Sequence, residues 1–155
     1  MNINIVSFLL IIIIFCCLFQ NSNRIENIEN NKAIVLLGDS IYQNKKYVKK
    51  NESVEYILTN KIKKSIVLAE DNSMIHNVME QYEQMPNNLN HPDTYLFISI
   101  GGNDLLNSYK YNGAGLDDYY VLDKIFEMYE KAILSISEKT KCKIVLTDIY
   151  FIRDE

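Results

Sequence analysis

Residues 34–41 read IVLLGDSI, and residues 96–108 read LFISIGGNDLLNS. Each is a continuous apolar run that stops at glycine and passes straight into a short polar motif. The chain has five glycines, and none lies between Gly38 and Gly101. Glycine loses more conformational freedom on ordering than any other residue, so the pair Gly101–Gly102 belongs where a backbone turns sharply or is closely approached. An apolar run without polar alternation suits a strand covered on both faces, as in a parallel sheet.

The same pattern repeats outward from these two stretches. Ala33–Leu37 is the first strand. SVEYILTNKI (53–62) places Val54, Ile57, Leu58 and Ile62 at helical spacing, with Ser53 as the cap. SIVLAED (65–71) reads as a second buried strand. SMIHNVMEQYEQM (73–85) puts Ile75, Val78, Met79, Tyr82 and Met85 on one helical face, and Pro86 with the Asn-rich PNNLNHPD ends it. TYLFISI (94–100) is a third strand. LDDYYVLDKIFEMYEKAILSISEKT (116–140) is the clearest helix, with Leu122, Ile125, Phe126, Tyr129, Ala132, Ile133 and Ile136 in register and Asp117 or Asp118 at its start. KIVLTDIY (143–150) is a fourth strand. Strand–helix alternation predicts an α/β fold: a parallel sheet with helices on both faces and right-handed crossovers. In such sheets ligands bind beyond the carboxyl ends of the strands, where both glycine motifs fall.

The bulk composition sets the bounds. The 155 residues suffice for one domain. Apolar residues at 48% allow a real core, and the net charge of -4 provides no footprint for nucleic acid. INIVSFLLIIIIFCCLF (3–19) is almost wholly apolar, which marks residues 1–20 as a signal peptide or a retained membrane anchor. Residues 21–32 form a polar linker, and 33–155 the domain. The chain is thus expected to be secreted or membrane-anchored. Cys16 and Cys17 lie in the apolar segment and Cys142 stands alone, so there is no metal-ligand spacing and no disulfide framework.

Ser40 is expected on a tight turn at a strand end, its hydroxyl exposed and backbone N–H groups pointing outward. Such groups stabilise an oxyanion during acyl transfer, and the Asn103 carboxamide is a further donor of the right kind. The plainer alternative is a turn in which Ser40 caps a helix and Asn103 is a turn former. Two such motifs together, at the ends of the first and third strands, favour the chemical reading, and they are neighbours in space if those strands are adjacent. A phosphate binder using GDS as an anion-binding turn is a weaker rival, because no GxGxxG or Walker-type loop is present.

GDS (38–40) and GGND (101–104), in this order and spacing, resemble the first and third motif blocks of the SGNH, or GDSL-type, esterases and lipases. The resemblance spans roughly residues 34–150. It implies a flavodoxin-like three-layer sandwich, hydrolysis of a carboxylic ester (of a lipid or an acetylated sugar), and neither metal nor organic cofactor. It assigns Ser40 as nucleophile and Asn103 as oxyanion donor, with Gly38, Asp39, Gly101, Gly102 and Asp104 shaping the turns. The family's second block supplies a glycine whose N–H joins the oxyanion hole. Here Asn72 takes that place, and asparagine is one of the few residues that tolerate left-handed backbone angles. The family's final Asp-x-x-His block, source of the general base, has no match. His76 and His91 read as surface residues, and Asp148 as a strand-end residue that lines the pocket or simply turns the chain. The expected explanations are, in order, an incomplete chain, a degenerate relative that binds an ester or glycan without cleaving it, and a base supplied by a second chain. The sheet would then lack its last strand and helix, leaving the fourth strand as an exposed edge. The stretch YKYNGAGLDDYY (109–120) is either a lid or a plain connection.

Overall fold

The computed structural model describes residues 32–112 and 119–148. All elements below belong to the unit that begins at Ala33. Strands β1 (Ala33–Gly38), β2 (Ser65–Val67), β3 (Thr94–Ser99) and β4 (Lys143–Leu146) form one sheet in the order β2-β1-β3-β4, every neighbouring pair parallel. Helix α1 (Val54–Lys61) connects β1 to β2, and α2 (Val78–Glu83) connects β2 to β3. Helices α3 (Gly102–Asn112) and α4 (Tyr119–Lys139) lie between β3 and β4. The fold is α/β, and its strand order is compatible with a flavodoxin-like architecture.

Side chains alternate along a strand. The register sets Val35 against Leu96 and Leu37 against Ile98, so these four share one face of the sheet. All four are fully buried, and they pack with Ile75, Val78, Tyr82, Met85 and Ile136. Helices α2 and α4 therefore cover this face. The spacing expected of residues 75–85 holds, with Met79 packed at the margin of the cluster. The helix itself is shorter. Ile75–Asn77 form a 3-10 turn ahead of α2, and the Asn77 side chain accepts the Met74 N–H at 2.9 Å.

Several expectations need correction. The second strand is three residues long, not seven, and only half-buried. It is an edge strand, and beyond Val67 the chain leaves the ladder. The N–H groups of Leu68 and Ala69 both donate to the Leu36 carbonyl, and that of Glu70 donates to Gly38. Helix α1 is capped by Ser53 as expected, but none of its residues is buried and Ile57 is exposed. Phe126 is 64% exposed, because it lies about 100° around α4 from Ile125, at the edge of the core-facing stripe. Strand β4 stops at Leu146 rather than residue 150, and Leu146 is exposed on the sheet edge.

The largest difference is α3. GGND was expected to be all turn, yet only Gly101 turns, with φ at 107°. Gly102, Asn103 and Asp104 are already helical. Asp104 sits in the first turn, where a carboxylate opposes the positive end of the helix dipole. Of the 109–120 stretch, residues 109–112 belong to α3 and 119–120 to α4, and residues 113–118 lie outside the described residues. The N-terminal apolar segment, the linker before Lys32, the Asp117/Asp118 cap and the chain after Asp148 lie outside the described residues. Among the described residues no helix is long and apolar enough to cross a membrane.

Candidate active site

Three loops leave the carboxyl ends of β1, β2 and β3, and each carries residues singled out by sequence. The first is built on Gly38, at φ 136°. Gly38 pairs with Ser99 of β3, and a Cβ there would overlap the Ser99 carbonyl. No other residue fits that approach. The next residue, Asp39, is buried. Its N–H donates to the Ser99 carbonyl at 3.1 Å, and its carboxylate accepts the Ile41 N–H at 3.0 Å. Its carbonyl accepts the N–H groups of Tyr42 and Gln43 at 3.1 and 2.9 Å. Asp39 thus ties the turn that presents Ser40. Ser40 is half-exposed, in a turn rather than at a helix start. Its hydroxyl and N–H make no hydrogen bond with a described residue.

The second loop turns at Asn72, with φ 64°. Asparagine is one of the few residues that tolerate this left-handed backbone. Asp71 precedes it and accepts from Lys46 Nζ at 2.9 Å and the Tyr47 hydroxyl at 2.8 Å. Those bonds, Lys46 first, hold its carboxyl below the usual carboxylate range. This clasp joins the loop after β1 to the loop after β2.

In the third loop, Asn103 Nδ2 donates to the Ser73 carbonyl at 2.8 Å, which brings the carboxamide beside the Asn72 turn. One of its two N–H bonds is then left for another acceptor. Asp104 is buried, and one of its oxygens accepts the Ile75 N–H at 3.0 Å. Its other oxygen has no partner among the described residues. Burial is the main cause that raises the carboxyl pKa of both Asp39 and Asp104. Nearby charge adds to this, Asp71 acting on Asp39 and Asp39 on Asp104.

Two residues that the sequence reading did not single out join the loops. Gln81, on α2 and buried, accepts the Gly38 N–H at 2.7 Å. Its Nε2 donates to the Gly38 carbonyl and to Ser73 Oγ, both at 2.9 Å. Gln81, Ser73 and Asn103 form a chain of bonds from the end of β1 to the start of α3. A glutamine flanked by buried Val78 and Tyr82 was the available signal, since a buried amide must find partners.

Neither histidine is hydrogen-bonded to this network among the described residues. His91 is exposed, and its carbonyl accepts the Thr94 N–H, at the amino end of β3. That is the end of the sheet opposite Ser40. His76 is exposed on the 3-10 turn, not within α2, close enough to Asp104 to favour the ionised carboxylate. Asp148 lines a cleft of about 430 Å³ with Leu105, Leu122, Phe126 and Thr147. Its charge and, more strongly, burial raise the Tyr129 hydroxyl pKa. Among the described residues no cluster of His, Cys, Asp or Glu is arranged to hold a metal ion. No family model, no curated protein and no solved structure matches the chain.

Proposed function

We propose that the domain is an SGNH-type serine ester hydrolase or a close derivative, built as a flavodoxin-like three-layer sandwich. The observation that carries this reading is the left-handed backbone at Asn72, with the Asn103 carboxamide donating to the very next residue. An oxyanion site of this type needs a turn N–H and a side-chain amide close together. The loop after β1, carrying Ser40, is bonded to the same network through Gly38. In this reading Ser40 Oγ attacks the ester carbonyl and gives up its proton to water; the oxyanion collapses and expels the alcohol, which takes up a proton, and a second water then cleaves the acyl-serine to release the acid. The N–H groups of Ser40 and Asn72, with Asn103 Nδ2–H, hold the developing oxyanion. Gly38, Asp39, Gly101 and Asp104 fix the loops, and Gly102 starts α3. The substrate is a carboxylic ester, of a lipid or an acetylated sugar. The apolar N-terminal segment directs the domain to a membrane or across it.

Among the described residues neither His76 nor His91 bonds Ser40, and a serine without a base is a weak nucleophile near neutral pH, so slow turnover is expected of these residues alone. The position of His91 favours a second reading, a module on the same fold that binds an ester or glycan without cleaving it. A fluorophosphonate probe separates the two. Slow covalent labelling of the full chain is expected, absent in Ser40→Ala. Asn103→Ala should label about 10²–10³-fold more slowly, the usual effect of losing one oxyanion donor. Labelling that persists in Ser40→Ala would overturn the hydrolase reading. Ester binding without labelling would establish the binding module.

A further inference from the structure

We infer that Gln81 is the positioning residue that sets the spacing between the nucleophile turn and the oxyanion donors. The inference rests on the hydrolase reading above, but its geometry is independent of it. Gln81 is 2% exposed. Its Oε1 takes the Gly38 N–H, and both Nε2 hydrogens are used, one on the Gly38 carbonyl and one on Ser73 Oγ. The side-chain amide therefore meets Gly38 as a neighbouring peptide would, through one donor and one acceptor. The Gly38 carbonyl also accepts the Glu70 N–H at 3.0 Å, so the loop after β2 starts from the same atom. Ser73 passes the constraint on, since its carbonyl holds Asn103 Nδ2 at 2.8 Å.

The neighbours show why this amide is more than core filling. The face of α2 that enters the core is otherwise apolar, with Val78 and Tyr82 buried. A leucine or methionine of similar size would fill the volume with no polar group to satisfy. The amide instead spans 43 positions of sequence to reach Gly38. It also reaches Ser73, one residue beyond the Asn72 turn. Gln81 touches no reacting atom in this arrangement. It acts through Gly38 on the turn that carries Ser40, and through Ser73 on Asn103.

The test compares full-length wild type with Gln81→Met and Gln81→Glu. Two quantities are measured at a temperature where thermal melts show all three folded: the rate of fluorophosphonate labelling, and hydrogen exchange of the Asn103 side-chain amide by NMR. Gln81→Met is expected to slow labelling and speed exchange about tenfold each, the scale of one buried hydrogen bond left unmade. In Gln81→Glu a carboxylate cannot donate. Its labelling, relative to wild type at each pH, should recover as acidification protonates it and restores an O–H donor. Wild-type rates and unchanged Asn103 exchange in Gln81→Met would overturn the inference. If the wild type itself does not label, the hydrolase reading fails, and exchange alone decides the role of Gln81. If Gln81→Met does not fold, Ser73→Ala removes only the Oγ link and should shift exchange in the same direction.

Discussion

Asn72 holds a left-handed backbone angle without being glycine. For most side chains this conformation costs roughly 1–2 kcal/mol, because Cβ crowds the following carbonyl. Asn72→Gly should therefore leave stability within about 1 kcal/mol of wild type, relief in the folded state offsetting the freer unfolded chain. Asn72→Val should lose at least about 1–2 kcal/mol. Urea unfolding of the two variants checks this, and a valine variant as stable as the glycine one would count against the turn. The sequence carried this turn in one residue type, since asparagine tolerates such angles. Gly38 was equally plain, and the overlap with Ser99 gives its physical cause. Gln81 could be read as a buried amide in need of partners, but not as a bridge between loops. Its partners lie 43 and 8 positions away, and no local pattern marks which buried polar residue will bridge two loops.

Single elements were legible where a face is buried on both sides, and less so at the margins. β1 and β3 lie where their apolar runs predict, because they are the central strands. β2 and β4 are edges, so their apolar residues had no second neighbour to extend the ladder, and both strands are short. α3 was missed because GGND carries the composition of a turn, and only the conformation at Gly101 decides where the helix begins. The Ser53 cap of α1 was read correctly from its position before Val54. Ser53 is buried, accepts the Tyr56 N–H at 3.3 Å and donates to the Lys50 carbonyl at 2.9 Å. Ser53→Ala should cost about 0.5–2 kcal/mol. Because α1 buries none of its residues, hydrogen exchange should quicken in α1 well before β1. Equal loss of protection in both elements would show that α1 does not open on its own.

At the scale of the whole molecule, the two buried carboxyls under the site set how stability depends on pH. Asp39 and Asp104 both bind protons more tightly in the folded chain than at their ordinary value of 3.8, chiefly because burial disfavours the charge. Between that value and the folded pKa the native state carries more protons than the unfolded one. Their contribution is therefore complete below the ordinary carboxylate range and is lost as pH rises through the folded values. Asp104→Asn keeps an acceptor for the Ile75 N–H and removes the buried charge. The variant should melt higher than wild type near neutrality and show a shallower decline as pH rises above the ordinary carboxylate range. Melting curves across that rise decide it, and an unchanged slope would refute the assignment. The clasp of Lys46 and Tyr47 on Asp71 obeys other physics, because Lys46 projects into water. Dissolved salt weakens an ion pair with one exposed end, even where the other, here Asp71, is largely covered, and leaves a buried amide bridge untouched. Concentrated brine therefore loosens the outer fastening of the two loops while the inner one, at Gln81, still holds them together.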